Sequence, residues 1–72
     1  FDVAQTCEGE VAIFNILGQR IRTLYSGMLP AGRIEKRWDG TTDNGAHVPS
    51  GVYFYRIKTP QHSVTRKMLY LK

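Results

Sequence analysis

The sequence predicts an all-β protein, an antiparallel sandwich or small barrel of about six short strands. Three observations carry that expectation. No long stretch has helical periodicity; the segments alternate in polarity or are rich in β-branched and aromatic residues. Clusters of Gly, Pro, Asn and Asp separate those segments at short intervals. With 72 residues, there is room for one domain only, spanning 1–72.

The elements follow in order. Phe1 to Gln5 is a short strand. Glu10 to Ile16 is a better one, with Val11 and Ile13 on one face and Ala12, Phe14 and Ile16 on the other. Apolar residues on both faces suit a central strand covered on two sides, or one that adjoins a partner domain. Asn15-Ile16-Leu17-Gly18-Gln19 reads as a hairpin turn, with Gly18 at the position that needs positive φ. Gln19 to Tyr25 is the next strand, with Arg20 and Arg22 toward solvent and Ile21 and Thr23 inward. Leu24 breaks the alternation, which predicts a bulge or the strand's end.

Ser26 to Gly32 reads as a loop because of Gly27, Pro30 and Gly32. In the strand predicted from Arg33 to Trp38, Ile34, Lys36 and Trp38 share a face, and the Lys36 stem lies along it while its ammonium reaches water. Asp39 to Gly51 is dense in turn residues, and Asn44-Gly45 fits a type I′ turn. Val52 to Thr59 is the clearest strand, with Tyr53, Tyr55 and Ile57 on one face. Pro60 to His62 makes the last turn, and Ser63 to Lys72 the final strand. Alternation alone leaves open which face of that strand is inside.

Composition narrows the function. Apolar residues are 42% and charged residues 22%, which excludes a disordered chain. A chain this short buries only about 60% of its unfolded surface, so the same few apolar residues must serve any core and any cleft. That argues against an enzyme with its own deep pocket. Cys7 is the only cysteine, so no internal disulfide and no thiolate zinc site can form. Ten Lys and Arg against six Asp and Glu give a net charge of +4. The bases are spread along the chain, which reads as solvated strand faces and protected edges rather than a nucleic-acid groove. No apolar run has transmembrane length. The opening at Phe1 without Met reads as a piece of a longer protein.

Five motifs together resemble one family. Val11-Ala12-Ile13-Phe14-Asn15-Ile16-Leu17-Gly18-Gln19 and Leu29-Pro30-Ala31-Gly32 are similar to a strand, turn and loop of bacterial carboxy-terminal immunoglobulin-like domains. Trp38-Asp39-Gly40 with Asp43-Asn44-Gly45 resembles their turn. Ser50 to Ile57 and Thr65 to Lys72 resemble their last two strands. The family includes the domain of the flagellar hook-capping protein and the sorting domain of type IX secretion cargo. The Lys-rich terminus, Thr65-Arg66-Lys67-Met68-Leu69-Tyr70-Leu71-Lys72, favours the sorting group.

The resemblance implies an immunoglobulin-like, fibronectin III-like sandwich of about six or seven strands. It implies a non-catalytic address that directs a secreted bacterial protein through the outer membrane to the cell surface. The expected partners are the outer-membrane secretion machinery or amino-terminal domains of the parent protein, with surface polysaccharide possible and no cofactor or nucleic acid. Thr65 to Lys72 is the expected signal. Gly18, Trp38, Asp39, Gly40, Asn44, Gly45, Gly51, Tyr53 and Tyr55 are the expected turn and core motif.

Chemistry decides among the other candidates. Asp39 to Gly45 offers oxygens at alternate positions, as calcium would need, but the EF-hand spacing fails. Side chains capping their own turn explain those residues better. Trp38, Tyr25, Tyr53, Phe54, Tyr55 and Tyr70 suggest the alternative function, a carbohydrate-binding or structural module on a secreted enzyme. Core is the better reading for Trp38, Tyr53 and Tyr55, while Phe54 and Tyr25 suit an exposed contact. A coplanar exposed pair of rings would favour sugar, and burial the sorting reading. His47 and His62 are read as surface turn residues, and Cys7 and Ser50 lack a nucleophile's surroundings.

Overall fold

The computed structural model describes residues 2–3, 5–33 and 37–71. Residues 1, 4, 34–36 and 72 lie outside that set, and with them the expectations for Phe1, Ile34, Lys36 and Lys72. The strands are β1 (Asp2–Val3), β2 (Cys7–Phe14), β3 (Arg20–Leu29), β4 (Gly32–Arg33), β5 (Gly51–Lys58) and β6 (Ser63–Tyr70). All pairings among them are antiparallel. β3, β2, β5 and β6 form one four-stranded sheet in that order, and β1 pairs with β4. The fold is therefore all-β, with no helix among the described residues.

β2 is central, as its two apolar faces predict. Val11, Ala12 and Ile13 are buried in succession, which one-sided strands do not permit. One face of the sheet carries the core: Ile13 and Tyr53 pack with Val48, and Ile21, Leu24, Trp38, Tyr55, Met68 and Tyr70 pack around them. This decides the open question of β6, whose inner face is Val64, Arg66, Met68 and Tyr70, with Arg66 exposed. The layer over that face, among the described residues, is largely the irregular segment 37–50 rather than a second broad sheet.

β3 at its end and β2 at both ends depart most from the sequence expectation. β3 continues through Ser26 to Leu29, where a loop was expected. Gly9 explains this: a Cβ there would stand 2.3 Å from Leu29 Cδ1, so the missing side chain makes room for fully buried Leu29. That fit pulls Cys7, Glu8 and Gly9 into register with Leu29, Met28 and Gly27, and β2 starts at Cys7 instead of Glu10. β2 ends at Phe14, and Ile16 lies in the turn, 71% exposed, not on a strand face.

Of the strand expected from Arg33 to Trp38, residues 34–36 lie outside the described set; Arg33 falls in β4, and Trp38 lies outside any strand. Its indole Nε1 donates to Thr41 O at 2.8 Å, which ties it to the following turn.

The irregularity at Leu24 is a bulge. Val11 faces Tyr25 while Ala12 faces Thr23, leaving Leu24 extra and turned into the core. A second shift leaves Ile21 extra between Arg22 and Arg20. These two bulges also correct Arg22: it is half-buried, its Nη1 donating to Thr42 O at 2.9 Å.

Candidate functional site

The turn motif and the last strand are the two regions to which the sequence assigned roles. The turn motif is built on a repeated device. In residues 15–19, Gly18 N donates to Asn15 O and Asn15 N to Gln19 O, both at 3.0 Å. In residues 42–46, Gly45 N donates to Thr42 O at 2.9 Å and Thr42 N to Ala46 O at 2.8 Å. Gly18 and Gly45 have φ of 80° and 84°. Both are three-residue loops closed by a left-handed glycine. Asn44 does not have positive φ, so the expected type I′ turn does not form; a type I′ turn needs it at both central residues.

Polar side chains seal both loops. Asn15 Oδ1 accepts from Leu17 N at 2.9 Å and Gln19 N at 3.0 Å. Asp39 Oδ1 accepts from Thr41 N at 3.1 Å and from Thr41 Oγ1 at 2.5 Å. The Thr41 hydroxyl holds the Asp39 carboxyl below its ordinary pKa, with the Thr41 N–H and the Arg22 charge adding to it against partial desolvation. Asp43 Oδ1 accepts from Thr23 N at 3.0 Å. The two carboxylates considered for calcium are thus occupied as backbone caps, and no His, Cys, Asp and Glu cluster suited to a metal occurs among the described residues.

The aromatic residues separate into two groups. Trp38, Tyr53 and Tyr70 pack on one another, with centroids 5.2 Å apart for Trp38–Tyr53 and Trp38–Tyr70 and 6.4 Å for Tyr53–Tyr70. Their planes meet at 67°, 46° and 80°, so none of these pairs is coplanar. Tyr53 is buried, and its hydroxyl donates to Pro49 O at 2.7 Å. Tyr55 is half-buried against the same core. Tyr25 and Phe54 are half-buried, and the Tyr25 hydroxyl donates to Met28 O. Gly51 opens β5 opposite Tyr70.

β6 divides its residues between two tasks. Met68 and Tyr70 belong to the core, whereas Thr65, Arg66, Lys67, Leu69 and Leu71 are exposed. The octapeptide singled out as a signal is therefore structural at two positions, Met68 and Tyr70. Among the described residues β6 pairs only with β5 and forms one edge of the sheet. The opposite edge is different. Along β3, Asp43 N donates to Ile21 O at 3.0 Å, and Asp43 and Thr42 also bind Thr23 N and Arg22.

The outer face of the sheet is basic and apolar in turn. Arg56 lies 4.6 Å and Arg20 5.8 Å from the centroid of the Phe14 ring. Arg20 also pairs with Glu10 at 2.7 Å. Lys67 stands opposite Phe54, and exposed Leu69 opposite Val52.

Sequence reasoning missed Thr41 as the donor to Asp39, Val48 as a core residue, and Gly9 as the space for Leu29. Only Gly9 left a signal, as a glycine inside a strand pattern. His47 bridges to Thr41 and is exposed; His62 is exposed in the turn where Thr59 N donates to its carbonyl at 2.7 Å. Cys7 is a free, half-buried thiol, and exposed Ser50 precedes a strand, not a helix.

Comparison with known proteins gives one family. The family model of the FlgD Ig-like domain matches residues 3–63. No curated protein and no solved structure matches. The matched span stops short of Thr65–Lys72, the segment that favoured the sorting group.

Proposed function

The chain belongs to the FlgD Ig-like domain family, and on that premise we propose that it is a non-catalytic recognition domain. Its role is to direct or anchor a larger secreted bacterial protein at the cell surface. The outer-membrane secretion machinery, or neighbouring domains of the parent protein, would be its partners. The observation that carries this reading is the asymmetry of the sheet edges. A hairpin loop is bonded along part of β3, whereas β6 is an edge with Thr65, Arg66, Lys67 and Leu69 exposed to solvent. Strand edges of this kind are recognised by strand addition.

The fold proposed is the fibronectin III-like sandwich of six or seven strands. Its support is the Tyr53 hydroxyl bonded back to Pro49 O near the start of β5, a corner such sandwiches use. The edge-to-face packing of Trp38, Tyr53 and Tyr70 gives less support to a sugar platform, which needs flat exposed rings.

The test is export of a periplasm-directed fluorescent reporter fused to Phe1–Lys72 in a bacterium with a type IX system. Deleting the last strand would remove Met68 and Tyr70 from the core, so the comparison uses Arg66→Glu with Lys67→Glu. The reading expects the parent fusion at the cell surface and the double variant in the periplasm. Retention of the parent fusion in the periplasm, with its domain folded, rejects the sorting role.

A second reading, an assembly domain of the hook-cap type, is favoured by the family match itself. It expects a flagellar parent chain and self-association in solution, measured by sedimentation.

A further inference from the structure

The acidic residues of the chain are segregated. Residues 44–72 contain Arg56, Lys58, Arg66, Lys67 and Lys72 and no Asp or Glu. All six acids, Asp2, Glu8, Glu10, Glu35, Asp39 and Asp43, precede them. The hairpin of β5 and β6 consequently carries bases and no acids, and it lies at the β6 edge of the sheet.

The distribution along β6 is also graded. Arg66 and Lys67 lie in mid-strand, opposite Tyr55 and Phe54. On the outer face, Leu69 is 65% exposed beside Val52. Leu71 follows, and the 15–19 turn lies at the same end of the sheet, because Phe14 pairs with Phe54 and Gly51 with Tyr70. Ile16 and Leu17 on that turn are 71% and 78% exposed. A cationic middle thus leads into an apolar end.

We propose that the β6 edge docks an extended segment of a partner protein that carries two adjacent acidic residues and apolar neighbours. This rests on the recognition role above and names the chemistry of the partner. In an added strand, side chains alternate between the faces. One carboxylate then stands beside Lys67 on the outer face and the next beside Arg66 on the inner face. Apolar residues follow beside Leu69 and Tyr70. Main-chain bonds to the edge supply affinity, and the paired charges set register and partner choice.

A second copy of this chain is the poorer occupant. Two β6 strands paired about their middles would set Arg66 and Lys67 against the same residues, and like charges directly opposite destabilise a sheet.

The test uses the full 72-residue chain and two capped ten-residue Val/Thr peptides, one with two adjacent Glu in the middle and one with two Lys there. Binding is followed by amide NMR at low and high salt. The Glu peptide is expected to bind at least about tenfold more tightly than the Lys peptide at low salt and to weaken as salt screens the pairs. Its perturbations should fall on β6, and Arg66→Glu with Lys67→Glu should reverse the preference. The double variant's fold is verified by the Trp38 and Tyr53 ring resonances, since neither substituted side chain is in the core.

Equal binding of both peptides, no binding of either, perturbations confined to β3, or dimerisation through β6 overturns the proposal. Export of the reporter fusion without acidic-peptide preference rejects this inference alone. Preference without export rejects only the sorting role.

Discussion

Two separate requirements meet at Gly40. Its φ is 79°, in the left-handed region, and a Cβ there would lie 2.1 Å from the Tyr70 hydroxyl oxygen and 2.2 Å from its Cζ. The Tyr70 ring therefore lies on bare backbone, held also by Trp38. Gly45 has a similar φ of 84°, but a Cβ there would meet nothing within 4 Å, so only backbone strain opposes a side chain. We predict that Gly45→Ala costs about 1–2 kcal/mol. Gly40→Ala should cost about 2–4 kcal/mol, because overpacking adds to strain. Urea unfolding of both variants checks the ordering; equal losses would show that Tyr70 moves away freely.

Asp39 carries the pH dependence at the same scale. Its pKa is lowered in the folded chain, chiefly by the Thr41 hydroxyl. A group depressed on folding stabilises fully above its unfolded pKa, and the contribution is lost as pH falls through the folded one. The effect is therefore confined to the acid side of the carboxylate range. Thr41→Val should raise the Asp39 pKa toward its ordinary value, read from the carboxyl carbon shift during NMR titration. An unchanged midpoint would remove the hydroxyl as the cause.

At the scale of elements, the turns were largely legible and the layers were not. Asn15 to Gln19 and Thr42 to Ala46 carry their polar caps and glycines in the local sequence, so the turns could be placed. The Asn44-Gly45 pair misled because the same two residues suit both a type I′ turn and a longer loop with only Gly45 left-handed. Local sequence does not choose between them; here Asp43, bonded to Ile21 O, fixes the longer form against β3. The extension of β3 to Leu29 was invisible for a related reason. Gly27 locally signals a loop, and only the fit of Leu29 into the space at Gly9, on the neighbouring strand, makes the segment a strand.

Gly9→Ala tests that fit. It should displace Leu29 and fray Ser26 to Leu29 while β5 and β6 stay paired. The cost should be about 1–3 kcal/mol, the range for overpacking a filled site. Amide exchange would then quicken at Gly27 to Leu29 first; uniform quickening across all four strands would contradict it.

Over the whole molecule, the site was half legible. Thr65 to Lys72 was identifiable as a basic terminal strand, but its division into Met68 and Tyr70 for the core and Arg66, Lys67 and Leu69 for the surface needed the β5 register. The two β3 bulges, which turn Arg22 toward Thr42 and bring the 42–46 loop onto one edge, follow from packing and not from any motif. The sheet's two edges consequently differ in a way that alternation alone does not reveal. The molecule measures 36 × 20 × 19 Å, and the long dimension matches about ten residues of extended chain, the length of β3.

The strand order also governs how the chain reaches this structure. β2 with β3, and β5 with β6, are hairpins whose partners are close in sequence, and each can form by local search. Their junction is not local: Phe14 must find Phe54, and Glu10 must find Lys58. Bringing distant segments together costs loop-closure entropy before any contact rewards it. The seam between β2 and β5 is therefore the expected barrier. Ile13→Val in that seam should slow refolding, whereas Asn15→Ala in the first turn should chiefly hasten unfolding if that turn closes after the barrier. Stopped-flow chevrons of the two variants separate these cases, and a refolding arm unmoved by Ile13→Val would place the barrier elsewhere.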